Sequence, residues 1–301
     1  MTPRFRKYSW QLAPASIRDI RQRVFIDGQK VPPELEWDDT DEIADHYLAV
    51  DASNQPVATA RLFSALEETG YIGRMAVLPE ARGKGVGEAL LRHLIAESDV
   101  LAENFKVGNL AKFGLDYASL KGEHPGLVYC SITGYGQTGP KAEQPGYDFM
   151  AQGLGGIMSI TGEEGREPVR VGPSIIDIAA GMWSCIGLLA ALHERNQTGI
   201  GCEVDTSLYE TALAWMTVPS AMHLASGTVP ARTGSEVGML APYKVYRAAD
   251  DYLVIAAGND NLFGRLCDVL GVPEWKTDHR FASNPERVNN RKVLNESIQD
   301  I

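Results

Sequence analysis

Apolar residues recur at helical spacing between Ala15 and Ile26, at Ile17, Ile20, Val24 and Phe25, and predict an amphipathic helix with Ser16 as its cap. Then the period shortens. His46–Val50 and Val57–Phe63 read as strands, and Asn54-Gln55-Pro56 between them predicts a turn. Tyr71–Leu78 is a third strand-like run, and Val86–Ala96 returns to helical spacing. Past residue 98 the style changes. Short apolar runs such as Leu127–Cys130 stand between glycines and prolines, and only 6 of the 30 glycines fall within residues 1–98. The longest apolar stretch, Ile175–Leu192, holds one acid, Asp177, and abuts His193-Glu194-Arg195. Its length suits a membrane span, but its glycines and charged end favour a buried core helix. A last helical pattern covers Pro285–Ile301.

Alternating strands and helices predict an α/β chain in two parts, 1–98 and 99–301, with no linker at the seam. A length of 301 residues permits one large or two modest domains. The formal charge of 28 − 39 = −11 opposes nucleic acid as a partner. Cys130, Cys185, Cys202 and Cys267 show no pairing pattern and read as reduced thiols of a cytoplasmic protein. The start, MTPRFRKYSWQLAP, lacks the apolar core of a signal peptide, and the six histidines lack metal-ligand spacing. The expectation is a protein of the cytoplasm with no membrane, nucleic-acid or metal partner.

The loop between the third strand and the second helix carries the first chemical signal. Glycines at 83, 85 and 87 let backbone approach a ligand and aim N–H groups from a helix start, a cradle suited to pyrophosphate. Arg82 and Lys84 add positive charge. On glycines alone, an unliganded strand-to-helix turn is an equal reading. With its flanks, the Arg82-x-x-Gly85-x-Gly87 segment after Arg74-Met75-Ala76-Val77 resembles the GNAT N-acetyltransferases, as do Ile20–Ile26 and Val31–Asp38 upstream. The resemblance covers residues 8–97 and implies an α+β segment that binds acetyl-CoA. Backbone at Met75 and Val77 would hold the pantetheine arm. Residues Arg82, Gly83, Lys84, Gly85, Val86 and Gly87 would hold the pyrophosphate, with an amine as acceptor. The closing strands and the tyrosine that many members use as general acid have no counterpart, so the segment is truncated.

Residues 99–301 resemble a second group of CoA enzymes, the family III CoA transferases (CaiB/BaiF-like). Asp99–Gly108, Ser131–Pro140, Pro145–Gly153, the helix around Asp177 and Gly199–Leu208 carry the likeness. It implies a Rossmann-like fold, incomplete here because the N-terminal strand–helix segment and the C-terminal region are missing, and an interlocked homodimer. Asp177 sits at the nucleophile position, and as the sole acid of an apolar run it is expected to be kept dry enough to attack. A carboxylate attacks an acyl-CoA thioester, giving a mixed anhydride and then an enzyme-bound CoA thioester from which a second acid reclaims CoA. Without the family, Asp177 reads more simply as a helix-start acid favoured by the macrodipole. Tyr147 and Asp148 match further active-site positions; Tyr in place of the His of the racemase branch favours CoA transfer over racemisation. Asn104 and Phe105 would meet the CoA nucleotide, and Lys112 and Phe113 its phosphates and adenine.

Three functions follow as expectations. One is CoA transfer between an acyl-CoA and a small carboxylic acid through Asp177. The others are acetyl-CoA-dependent N-acetylation of an amine at the 82–87 loop, and a fusion of truncated modules that binds CoA without turnover.

Overall fold

A computed structural model describes residues 3–66 and 69–301. The chain forms two compact units, residues 1–133 with 184–205, and residues 134–183 with 206–301. The first opens with β1 (Arg4–Ser9) and α1 (Ala15–Arg21), then β2 (Asp45–Val50), β3 (Pro56–Leu66) and β4 (Thr69–Val77). These strands form an antiparallel sheet in the order β1-β2-β3-β4. Strand β2 is buried on both faces. Leu48 and Val50 point to one side, where Ile17, Ile20 and Val24 pack; Tyr47 and Ala49 point to the other, against Val86, Leu90 and Leu94. The latter three lie on α2 (Val86–Ile95), so the sheet is covered by a helix on each side.

Two local expectations are corrected. Ser16 is not the cap: the residue before α1 is Pro14, and no side chain caps the helix. The helix also ends at Arg21 and widens into a π-type turn over Gln22–Gly28 rather than running evenly to Ile26. Strand β1 has no apolar signature, because RFRKYS is a basic, half-exposed edge strand that pairs with β2.

Beneath α1 lies a buried ion network. Arg21 donates to Glu36 at 2.6 Å and Asp41 at 2.7 Å; Arg61 donates to Asp41 at 2.8 Å and Asp38 at 2.6 Å. Trp10 and Trp37 lie over the Arg21 guanidinium. Burial alone would raise the Asp38 and Asp41 pKa values, yet the hydrogen bonds from Arg61 to Asp38, and from Arg21 and Arg61 to Asp41, outweigh it and hold both low.

The same unit continues into β5 (Val100–Glu103) and β6 (Val128–Thr133), which run parallel, and the start of β7 (Glu203–Ser207), in the order β5-β6-β7. Helix α2 serves this second layer as well. Its Ile95 is buried with Leu115, Leu120, Leu127 and Tyr129, and Leu91 packs alongside. Arg92 clamps the junction by donating to Glu88 at 3.0 Å, Glu123 at 2.9 Å and the Gly114 carbonyl at 2.6 Å. His93, on the same helix, stacks on Phe5 at 4.7 Å.

The second unit contains α3 (Asp148–Leu154) and the start of α4 (Ile175–Thr198), whose C-terminal part returns to the first unit. Helices α5 (Leu208–Trp215) and α6 (Thr217–Ser226) follow. Ser207 caps α5 by accepting from the Glu210 N–H, and its hydroxyl donates to the Glu210 carboxylate. The hairpin β8 (Tyr243–Arg247) and β9 (Tyr252–Ala256) packs with α7 (Asp260–Leu270), α8 (Asn284–Asn289) and α9 (Arg291–Gln299) around Tyr246, Phe263, Phe281 and Leu294.

Helix α4 departs from the expected fully buried core helix. Ile176, Ala179, Ala180 and Ala191 are buried, but Ile178, Met182, Trp183, Ile186 and Leu189 are exposed. It is long and apolar enough to cross a membrane by length and composition, and only one face of it packs inside the protein.

Candidate active site

The loop that presents the site is fixed by a glycine crossing. Gly134, just after β6, lies against Gly146 so closely that a methyl group built on Gly134 would stand 2.7 Å from the Gly146 nitrogen. Neither position tolerates a side chain without moving the backbone next to Tyr147. Gly146→Ala is expected to cost about 2 kcal/mol or more by overpacking, read as a lowered urea midpoint. An unchanged midpoint would show that the crossing gives way freely.

Tyr147 precedes α3 and is exposed. Asp148 opens α3 and is buried at 7% exposure. One of its oxygens accepts the N–H groups of Ile176 at 2.8 Å and Asp177 at 3.3 Å; the other accepts the Gln152 amide at 2.7 Å. Gln152, fully buried, accepts the Val171 N–H at 2.8 Å. Asp148 thus caps α4 from another helix, satisfying orphan donors of its first turn. Gln152, one helical turn after Asp148, ties the 171 strap to the same point. Sequence reasoning missed Gln152, although its i, i+4 spacing from Asp148 was a signal.

Asp177 follows on the first turn of α4 and lines a cavity of about 430 Å3 with Tyr147, Asp148, Phe149, Arg170 and Ser174. The apolar run was expected to keep Asp177 dry. Within one chain it does not, since the side chain is exposed on the solvent side of the helix. Partial burial, and then the neighbouring Asp148 carboxylate, still push its pKa up from the ordinary carboxylate value. Arg170 is the second residue missed; it follows Pro168-Val169 in an exposed strap with no sequence signal of its own.

The other predicted residues lie in the first unit. Asn104, Phe105, Lys112 and Phe113 are all exposed beyond β5. The Phe105 N–H donates to Glu103 at 2.7 Å, and Lys112 donates to Asn109 at 3.1 Å. In the glycine loop, Gly83 and Gly85 adopt φ of 70° and 73°, the left-handed region that glycine occupies freely. Gly87 sits where a methyl group would stand 3.3 Å from Val77 Cγ2 and 3.7 Å from Met75 Cε. Lys84 is exposed, Val86 is buried in the core, and Arg82 turns back to donate to the Val77 carbonyl at 3.1 Å.

Comparison with known proteins finds two family matches, both to families named for CoA or acetyl transfer. The model of CoA-transferase family III matches residues 83–301, and that of the acetyltransferase (GNAT) family matches residues 15–105. The chain belongs to CoA-transferase family III, preceded by a GNAT segment. It is similar to a succinate–glutarate CoA-transferase of Agrobacterium fabrum, 42% identical over 212 residues, 70% of this chain and 53% of that protein. It is also similar to an acetyl-CoA:oxalate CoA-transferase of Acetobacter aceti, 37% identical over 228 residues, 75% of this chain and 58% of that one. A crystal structure of a CAIB/BAIF family protein from Brucella suis superposes with a TM-score of 0.62 at 47% identity, covering 71% of this chain and 57% of that one. The chain spans about half the length of these relatives.

The two family matches overlap on residues 83–105, the segment of α2 and β5. That overlap has a structural counterpart. Val86, Leu90 and Leu94 serve the antiparallel sheet, while Leu91 and Ile95 serve the parallel one.

Proposed function

We propose that the chain transfers CoA between an acyl-CoA and a small carboxylic acid, with Asp177 as nucleophile. The observation that carries this reading is a carboxylate of raised pKa, lining a cavity on a helix start that Asp148 caps, in a chain of CoA-transferase family III. An Asp177 oxygen attacks the thioester carbonyl; the C–O bond forms, the C–S bond breaks, and CoA leaves as thiolate. The thiolate attacks the aspartyl carbonyl of the anhydride, releasing the first acid as carboxylate and leaving CoA on Asp177. The incoming carboxylate reverses both steps and carries CoA away. Each intermediate is reached without net proton transfer, so the site needs no general base. The acids in the relatives' names, glutarate and oxalate among them, are small and support the substrate class.

Asp148 positions the nucleophile through the cap and Tyr147 borders the cavity. Asn104, Phe105, Lys112 and Phe113 are proposed to carry the CoA nucleotide, a role supported by their exposure and by the family match over that segment. The exposed stripe Ile178, Met182, Ile186 and Leu189 beside Asp177 fits a homodimer in the cytoplasm, in which a second copy would supply the missing desolvation. The domain division by descent is proposed at residue 98. Acetyl transfer to an amine has less behind it, since the Val77 carbonyl assigned to the pantetheine arm already accepts from Arg82.

Exchange of CoA from an acyl-CoA to a free acid, followed by chromatography of both thioesters, tests the reading. Formation of the second thioester supports it; hydrolysis alone, or no turnover, contradicts it. The reactive form is the ionised one, so the raised pKa places the acid limb of kcat/KM above the ordinary carboxylate range near 3.9. Asp148→Asn removes the like charge and is expected to move that limb to lower pH, short of its full return because burial remains. A limb that stays in place would detach Asp148 from the titration.

A further inference from the structure

Arg170 is a cation at a site built for anions, and among the described residues none forms an ion pair with it. It lines the cavity with Asp177, Ser174, Tyr147 and Phe149. Its Nη1 donates to the carbonyls of Val171 at 3.3 Å and Gly172 at 2.5 Å, in its own strap. Among the described residues no carboxylate forms an ion pair with it; the cavity's buried acid, Asp148, is filled by the Ile176, Asp177 and Gln152 donors. The strap is anchored where Arg170 leaves it, because the neighbouring Val171 N–H is held by buried Gln152. Among the described residues, Nη2 and Nε of Arg170 therefore stand as a guanidinium fork without a protein partner.

We propose that Arg170 is the specificity-determining residue of the acceptor pocket and selects a short dicarboxylic acid, binding the carboxylate that does not react. This rests on the CoA-transfer reading of the same cavity. The fork matches a carboxylate in a bidentate pair. It is not suited to the reacting carboxylate, because two charge-assisted hydrogen bonds would draw off the electron density that must attack the thioester. A dicarboxylic acid satisfies both demands. One end meets Asp177-bound CoA while the other neutralises Arg170, and a monocarboxylic acid of equal length leaves the guanidinium without a partner.

Glutarate and pentanoate differ only in whether the far end is a carboxylate or a methyl group. With acetyl-CoA as donor, Arg170→Met is expected to raise KM for glutarate by roughly 10- to 100-fold, the worth of a charged hydrogen-bonded pair. For pentanoate, whose methyl end leaves the guanidinium unpartnered, it should raise kcat/KM instead, and Arg170→Lys, which keeps the charge but loses the fork, should fall between. Ligand-observed NMR of glutarate against the unreacted protein gives a readout free of turnover: binding to wild type, weakened in Arg170→Met. Exchange with both acids combined with equal responses to Arg170→Met would overturn the assignment and leave the CoA-transferase reading intact. Absence of exchange in wild type would overturn that reading, and the NMR arm would still decide Arg170. Glutarate binding that is undetectable, or indifferent to the substitution, overturns it.

Discussion

Asp177→Asn is expected to lower CoA exchange at least roughly a thousandfold, since the amide cannot form the anhydride or the aspartyl thioester. The side chain is exposed, and the bonds that hold the turn are donated by backbone N–H groups to Asp148, so the fold should be unaffected. Asp177→Ala guards against slow deamidation restoring the acid. Full exchange in either variant, with an unchanged urea midpoint, would remove Asp177 from the mechanism.

The second large effect is on stability. Arg21→Met is expected to cost about 3 kcal/mol, read by urea unfolding, because it removes the shortest ion pair of each buried carboxylate and leaves Glu36 to Arg74 and Asp41 to Arg61 alone. A triple replacement of Arg21, Glu36 and Asp41 by apolar residues should recover part of that loss, since the pairs owe their worth to mutual neutralisation. The network also sets an acid limit. Asp38 and Asp41 have folded pKa values below the unfolded value near 3.9, so their stabilisation is fully present above that pH. It is lost as pH falls through the lowered folded values. A small effect of Arg21→Met, with acid unfolding unchanged, would show that the network is dispensable.

Residues whose role is local were legible before the fold was known. The short runs His46–Val50 and Val57–Phe63 on either side of a turn marked β2 and β3, and the spacing of Val86, Leu90 and Leu94 marked α2. Features created by distant residues were not. The basic edge strand β1 exists because β2 offers it a pairing edge. The cap of α4 comes from Asp148, 28 positions before Ile176, and Gly134 meets Gly146 only once the loop has closed. The apolar run around Asp177 suggested a dry nucleophile, yet periodicity cannot say whether a second apolar face is covered by the same chain. In α4 that face is bare. The double use of α2 was hidden for a related reason: each of its faces reads as ordinary amphipathicity until two sheets are seen to share it.

The central claim is that CoA passes through a covalent bond to Asp177. Borohydride quenching of the protein during reaction with an acyl-CoA, followed by peptide mass spectrometry, tests it directly, because the thioester of an aspartate is reduced to homoserine. The account predicts homoserine at position 177, dependent on acyl-CoA and absent from unreacted protein. Sustained exchange with an unmodified Asp177, or reduction at a different acid, would contradict it.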